Sequence, residues 1–158
     1  MRVFLGCDHA GFELKEHLVA WLSANGHEPV DCGAFVYDAV DDYPPFVLRA
    51  AERTAAEPGT LGIVIGGSGN GEAMAANKVK GVRAALVWND DTARLAREHN
   101  DANVISLGAR QHDPDTATRF VRLFLETSYS QEERHTRRIR MMSDYERTGE
   151  LPPISVES

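Results

Sequence analysis

The run Leu61-Gly-Ile-Val-Ile65, Gly66-Gly-Ser-Gly-Asn-Gly71, Glu72-Ala-Met-Ala-Ala-Asn-Lys78 carries the strongest chemical signal in the chain. An apolar, strand-like segment feeds a loop of small residues, and a helix-forming segment follows. Small residues let backbone N–H groups approach negatively charged oxygen, so the loop has the form of an anion cradle. A nucleotide P-loop would place Lys and Ser/Thr after the last glycine, where this chain has Glu72 and Ala73. Gly67, Gly69 and Gly71 do not fit the spacing of a dinucleotide-binding loop either. A carboxylate at this place would repel a phosphate, yet it could remove a proton from a carbon beside a carbonyl. The loop points to proton transfer.

Other polar residues gather at equivalent places. Cys7-Asp8-His9 follows a first apolar run, and Gly108-Ala-Arg110 follows the last one. His99-Asn100 closes a helix one short connection earlier, and Arg134 and Arg138 share a face of a late helix at i and i+4. Each also has a plain structural use. Glu72 could complement a helix dipole, Asp8-His9 could open a helix, and His99 could be a cation at a helix C-terminus. Cys7 suits a small buried position better than a nucleophile. The two arginines could clamp one phosphate, or could pair with Glu132 and Glu133 on a solvated surface.

The elements that must position these groups alternate in type. Strands are predicted at Arg2–Gly6, Glu28–Cys32, Leu61–Ile65, Arg83–Trp88 and Val104–Leu107. Helices are predicted at Phe12–Asn25, from Pro44-Pro45 to about Ala56, near Glu72, and from Asp90 or Asp91 to near Asn100. Another opens with Asp113 as N-cap and Pro114 as first helical residue. This order indicates a parallel sheet covered on both faces, with ligands beyond the carboxyl ends of the strands. His99 and Asn100 would then lie at the wrong edge, so their use needs a partner subunit or an unusual turn. Residues 131–147 form a polar, charged helix, an arm more than a packed element, and 149–158 a flexible tail. Residues 1–148 form a single domain.

Composition bounds the rest. The 158 residues are 42% hydrophobic and 26% charged, as in a soluble globular domain. A net charge of −7 argues against general nucleic-acid binding. No apolar run has membrane-spanning length and no signal peptide is visible, so a cytoplasmic enzyme is expected. The two cysteines, Cys7 and Cys32, lack metal-ligand spacing and suggest no disulfide framework.

Taken in order, Gly6-Cys-Asp-His-Ala-Gly-Phe12, Asp42-Tyr-Pro44, the glycine loop, Ala75-Ala-Asn-Lys78, Arg97-Glu-His-Asn100, Leu107-Gly-Ala-Arg110 and Arg134-His-Thr-Arg-Arg138 resemble the ribose-5-phosphate isomerase B family. That family also includes galactose-6-phosphate isomerase subunits. The resemblance implies a Rossmann-like three-layer α/β/α sandwich with a five-stranded parallel sheet and a C-terminal helical arm. It also implies a homodimer or dimer of dimers whose sites are built from two subunits. Many members carry a cysteine base at the position of Gly66. This chain is similar to the branch, common among actinobacteria, that uses a glutamate a few residues later, here Glu72.

The implied reaction is reversible isomerisation of ribose 5-phosphate and ribulose 5-phosphate through a cis-enediolate. His99 would protonate the ring oxygen and Asp8 accept the anomeric proton. Glu72 would then carry a proton between C2 and C1. Backbone donors across Gly67, Ser68, Gly69, Asn70 and Gly71, with the Ser68 side chain, would hold the enediolate. Arg110, Arg134 and Arg138, with His9 in support, would hold the phosphate, and Asn100 would orient sugar hydroxyls. No metal, nucleotide or other cofactor is required. The alternatives are a hexose 6-phosphate or tetrose 4-phosphate substrate, or a binding-only sugar-phosphate module.

Overall fold

The computed structural model describes residues 1–154. Strand β1 (Arg2–Cys7) runs through a short 3-10 turn (His9–Gly11) into α1 (Phe12–Ala24), followed by β2 (Glu28–Asp31) and α2 (Pro44–Ala56). The glycine loop joins β3 (Leu61–Gly66) to α3 (Asn70–Ala76), and β4 (Ala84–Leu86) leads to α4 (Asp90–Glu98). Then come β5 (Val104–Gly108), α5 (Pro114–Glu126) and α6 (Glu133–Thr148). The five strands pair in parallel in the order β2-β1-β3-β5-β4. From β1 the chain goes first to β2 on one side, then crosses to lay β3 on the other. That reversal opens a crevice beyond the carboxyl ends of β1 and β3, the place where open α/β sheets hold ligands.

Both faces of the sheet are covered, which is why β3 is an unbroken buried run. Leu5, Ile63, Ile65, Ile105 and Leu107 pack with Leu18 and Leu22 of α1, Ala93 of α4, and Phe120 and Phe124 of α5. Phe4, Val64 and Val104 point the other way, against Val47, Ala50 and Ala51 of α2 and Ala76 of α3. The period-two alternation thus fills two separate cores. Each fully buried Leu, Ile or Phe contributes roughly 1.5–3 kcal/mol. The rigid centre of the molecule lies directly beneath the crevice.

Several helix ends match the sequence and some differ. Asp113 accepts from Thr116 N–H at 2.8 Å, the expected cap, with Pro114 beginning α5. For α4 the cap is Asn89, not Asp90 or Asp91. Asn89 Oδ1 accepts from Thr92 N–H at 2.8 Å and Thr92 Oγ1 receives Asn89 N–H at 3.1 Å. This reciprocal pair begins the helix one residue early. Strand β4 is shorter than Arg83–Trp88, because its pairing with β5 stops at Leu86–Ser106. Helix α6 buries one residue, His135. It touches the domain through a few contacts, among them Gly81 N–H to the Glu146 carboxylate at 3.0 Å and Tyr129 Oη to Thr136 Oγ1 at 2.6 Å. Gly149 closes it in the left-handed region. Residues 155–158 of the expected tail lie outside the described residues.

Candidate active site

The carboxyl end of β1 delivers two groups. Asp8 Oδ1 accepts the N–H groups of Ala10 and Gly11 at 3.0 and 3.3 Å, which fixes the carboxylate while leaving it 8% exposed. The next residue, His9, donates its backbone N–H to Asp41 Oδ1 at 2.8 Å, and its Nδ1 lies 2.8 Å from the same oxygen. That bond raises the His9 pKa, with Asp8 adding and burial and Arg110 opposing. Cys7, just before them, is fully buried and its thiol is pushed up to about 12 by burial. It is no nucleophile.

The glycine loop is braced from beneath. Gly69 turns in the left-handed region at φ +83, and its carbonyl accepts from the buried Ser106 hydroxyl at 2.7 Å. A side chain at 69 would press on Leu86 and the β5 backbone as well. Ser68 Oγ accepts from Asn70 N–H at 3.2 Å. Helix α3 then begins, and its first turn carries Glu72, only 4% exposed. The Glu72 carboxyl group folds back onto Gly66, so closely that a Cβ on Gly66 would overlap it. The carboxylate therefore occupies the very space into which a side chain from the end of β3 would project. Burial raises its pKa, helped by the charge of Asp8, while the backbone N–H groups of Glu72 and Gly69 oppose the shift.

Two more groups close this cluster. Arg110 N–H donates to Gly67 O at 3.1 Å, and its guanidinium lies against the Gly67 Cα. Tyr43 packs its phenol on Gly71. Asp8, His9, Glu72 and Arg110 thus converge on the glycine loop within one chain: two carboxyl groups, an imidazole and a guanidinium. The Asp8, His9 and Asp41 ligand atoms lie within 4.8 Å of one another, a spacing that could hold a metal ion. Here that proximity serves the His9–Asp41 hydrogen bond.

The remaining residues lie elsewhere. His99 caps the end of α4, at the edge where β5 begins, and β5 itself separates that edge from Gly108 by roughly 16 Å. Arg83 holds the turn, donating to Asn100 O at 2.9 Å and Asp101 O at 2.7 Å, and Arg97 donates to Ala102 O at 2.7 Å. The Asn100 amide reaches Leu95 O at 3.3 Å, so its donor also caps α4. His99 stacks on His135 with ring centroids 4.1 Å apart and planes 17° from parallel. Burial, then the nearby His99, lowers the His135 pKa. Arg134 and Arg138 flank that histidine; Arg134 Nε donates to Glu132 at 2.8 Å, while Arg138 forms no ion pair among the described residues. Of the uses foreseen for the arginine pair, the ion pair with Glu132 is formed by Arg134.

The expected site residues therefore form two groups at opposite edges of the sheet. One has Asp8, His9, the Gly67–Gly71 loop, Glu72 and Arg110; the other has His99, Asn100, Arg134 and Arg138. Reasoning from the sequence alone missed Asp41, Tyr43, Ser106 and His135. Tyr43 and His135 stood inside quoted motifs, but Asp41 and Ser106 gave no signal, since their contacts join distant segments. Cavity size is a poor guide here: a cleft of about 550 Å³ is lined by Trp88, His112 and Arg119 and holds none of these groups.

A sequence model of the ribose/galactose isomerases matches residues 3–142. The chain belongs to the ribose/galactose isomerase family. It is 56% identical to ribose-5-phosphate isomerase B of Mycolicibacterium paratuberculosis over 154 residues, 98% of this chain and 97% of that protein. Identity to the protein of the same name from Mycobacterium tuberculosis is also 56%, over 98% of this chain and 95% of that one. Among solved structures, ribose-5-phosphate isomerase B of Mycoplasma genitalium, crystallised with ribulose 5-phosphate, superposes with a TM-score of 0.90 at 40% identity. The match covers 93% of this chain and 97% of that one. A family of isomerases is consistent with a buried carboxylate facing fixed donors, an arrangement suited to proton transfer.

Proposed function

We propose that this protein interconverts ribose 5-phosphate and ribulose 5-phosphate, with Glu72 carrying a proton between C2 and C1 through a cis-enediolate. The observation that carries the reading is the Glu72 carboxyl group, buried against Gly66 at the sheet crevice and raised in pKa. A base of raised pKa is a better proton acceptor near neutral pH. Backbone N–H groups across Gly67–Gly71, with Ser68, stabilise the negative oxygen; a donor of that kind is worth about 3–4 kcal/mol in the transition state. Asp8 accepts the anomeric proton as His99 protonates the ring oxygen. Arg110, Arg134 and Arg138, with His9, hold the phosphate, and Asn100 orients hydroxyls.

The reading includes a homodimer, or a dimer of dimers, in which each site takes Glu72 from one chain and His99 with Arg134 and Arg138 from its partner. The separation of the two groups supports this, as does α6, whose Met141, Met142 and Tyr145 are exposed and whose own domain covers only His135. A two-fold axis brings each edge of one chain to the other edge of its mate. Residues 1–148 act as one domain with 131–147 as the arm. The charged substrate and the absence of any helix long and apolar enough to cross a membrane, among the described residues, accord with a cytoplasmic place.

Turnover of ribose 5-phosphate, with allose 6-phosphate run in parallel, tests the substrate; preference for the hexose would replace it. Mixing Glu72→Gln with His99→Asn protein tests the sharing. Each variant alone is expected to be inactive, and random exchange of subunits should restore roughly a quarter of wild-type activity. A mixture as inactive as its parents would place both residues in a site made by a single chain.

A further inference from the structure

The connection from β2 to α2 exposes Phe35, Val36, Tyr37 and Val40, yet one of its acidic side chains turns inward. Asp41, 10% exposed in its side chain, receives both the backbone N–H of His9 and the His9 ring on a single oxygen, each at 2.8 Å. Its other oxygen is buried without a hydrogen-bond partner. A carboxylate can only accept, so the ring nitrogen facing it, Nδ1, must carry the hydrogen. We propose that Asp41 is a positioning residue for the isomerisation: it fixes the His9 ring with Nδ1 turned away, so that Nε2 is presented to the substrate phosphate. This rests on the assignment of His9 to the phosphate.

The arrangement resembles the pairing of a metal-bound or catalytic imidazole with an acidic residue behind it, where the hydrogen bond on one nitrogen decides the role of the other. It also favours the cation. Asp41 raises the His9 pKa most, Asp8 adds to it, and Arg110 opposes it. A protonated His9 donates from Nε2 to a dianionic phosphate, whereas a neutral ring with hydrogen on Nδ1 offers that phosphate only a lone pair. Asp41 itself repels phosphate, so its benefit must come through His9. Its effect on binding should therefore depend on pH in a way that a loop anchor would not.

Asp41→Asn keeps a carbonyl oxygen for the two His9 donors and removes the charge. The ratio of its KM to that of wild type cancels titration of the substrate. That ratio is expected to be smallest in acid, where both proteins hold more of the His9 proton, and to rise toward about tenfold, the size of one charge-assisted hydrogen bond, as pH rises and the variant loses that proton first. The kcat should change little, and on a His9→Gln background the ratio should fall to one. Nitrogen-15 NMR of the full-length wild type should show the neutral His9 ring protonated on Nδ1, with a titration midpoint that drops in Asp41→Asn. A ratio constant with pH, a ratio undiminished without His9, or a neutral ring protonated on Nε2 would overturn the proposal even where His9→Gln raises KM. A wild-type KM in His9→Gln would remove the phosphate assignment and this proposal with it.

Discussion

Gly66→Ala is the most informative single change that the geometry suggests. Gly66 ends β3 and is not among the glycines with positive φ, so its backbone accepts alanine. What alanine meets is the Glu72 carboxyl group. The new Cβ would stand 2.5 Å from Oε2 and closer still to Cδ and Oε1, whereas a carbon and an oxygen need more than 3 Å. The three nearest atoms all belong to the mobile end of one side chain, so the chain can relieve the overlap by swinging the carboxylate away. The displacement is about 1 Å or more, and an error of about 1 Å in a reacting group costs on the order of a hundredfold in rate. That corresponds to about 2.7 kcal/mol of barrier. Steady-state isomerisation of ribose 5-phosphate should show kcat falling by that factor. Melting followed by circular dichroism should show a fold retained within about 1 kcal/mol. The loss should also be absent on a Glu72→Gln background, since the two changes act on one group. A Gly66→Ala enzyme with wild-type kcat, or a loss that adds in full to that of Glu72→Gln, would refute the placement of the base.

Three other outcomes follow from the proposed site. Because burial raises the Glu72 pKa, the folded state holds its proton more tightly than the unfolded chain. The stability linked to that proton is present below the unfolded pKa and lost as pH rises through the folded one. Glu72→Gln should therefore be more stable than wild type at pH 7, by about 1 kcal/mol or 2–4 °C in Tm, with the gain shrinking in acid. Equal Tm values at pH 7 would mean that the carboxylate is not held at a cost. The acid limb of kcat/KM should likewise lie above the ordinary glutamate pKa. Arg138→Ala should raise KM for ribose 5-phosphate by roughly 10- to 100-fold with a smaller change in kcat, as expected for loss of one charged hydrogen bond to a non-reacting phosphate. An unchanged KM would remove Arg138 from the substrate.

Much of this was legible in the chain because local chemistry and global fold agree. The buried run of β3, the Asp113-Pro114 cap and the glycine loop each have one economical interpretation, and each was realised. Asn89 was passed over because two aspartates beside it are equally good caps by type, and only the return bond from Thr92 chooses among them. Glu72 could be named as a base from its place after the loop. Its contact with Gly66 could not, because that depends on how far α3 turns back over β3. Asp41 and Ser106 illustrate the general limit. Their partners stand 32 and 37 residues away, and nothing in either neighbourhood announces the pairing. The placing of the expected residues at two sheet edges follows from strand direction alone, so the wrong-edge position of His99 was visible in the sequence.

The most direct test of the central claim is turnover by Glu72→Gln, with chelator present and substrate affinity measured on the same preparation. Wild type should isomerise ribose 5-phosphate in chelator. Glu72→Gln should bind the sugar with similar affinity and convert it at least a thousandfold more slowly, the upper part of the range for a general base. A variant that binds and still turns over at the wild-type rate would contradict the assignment, and the proton would have to travel by another residue.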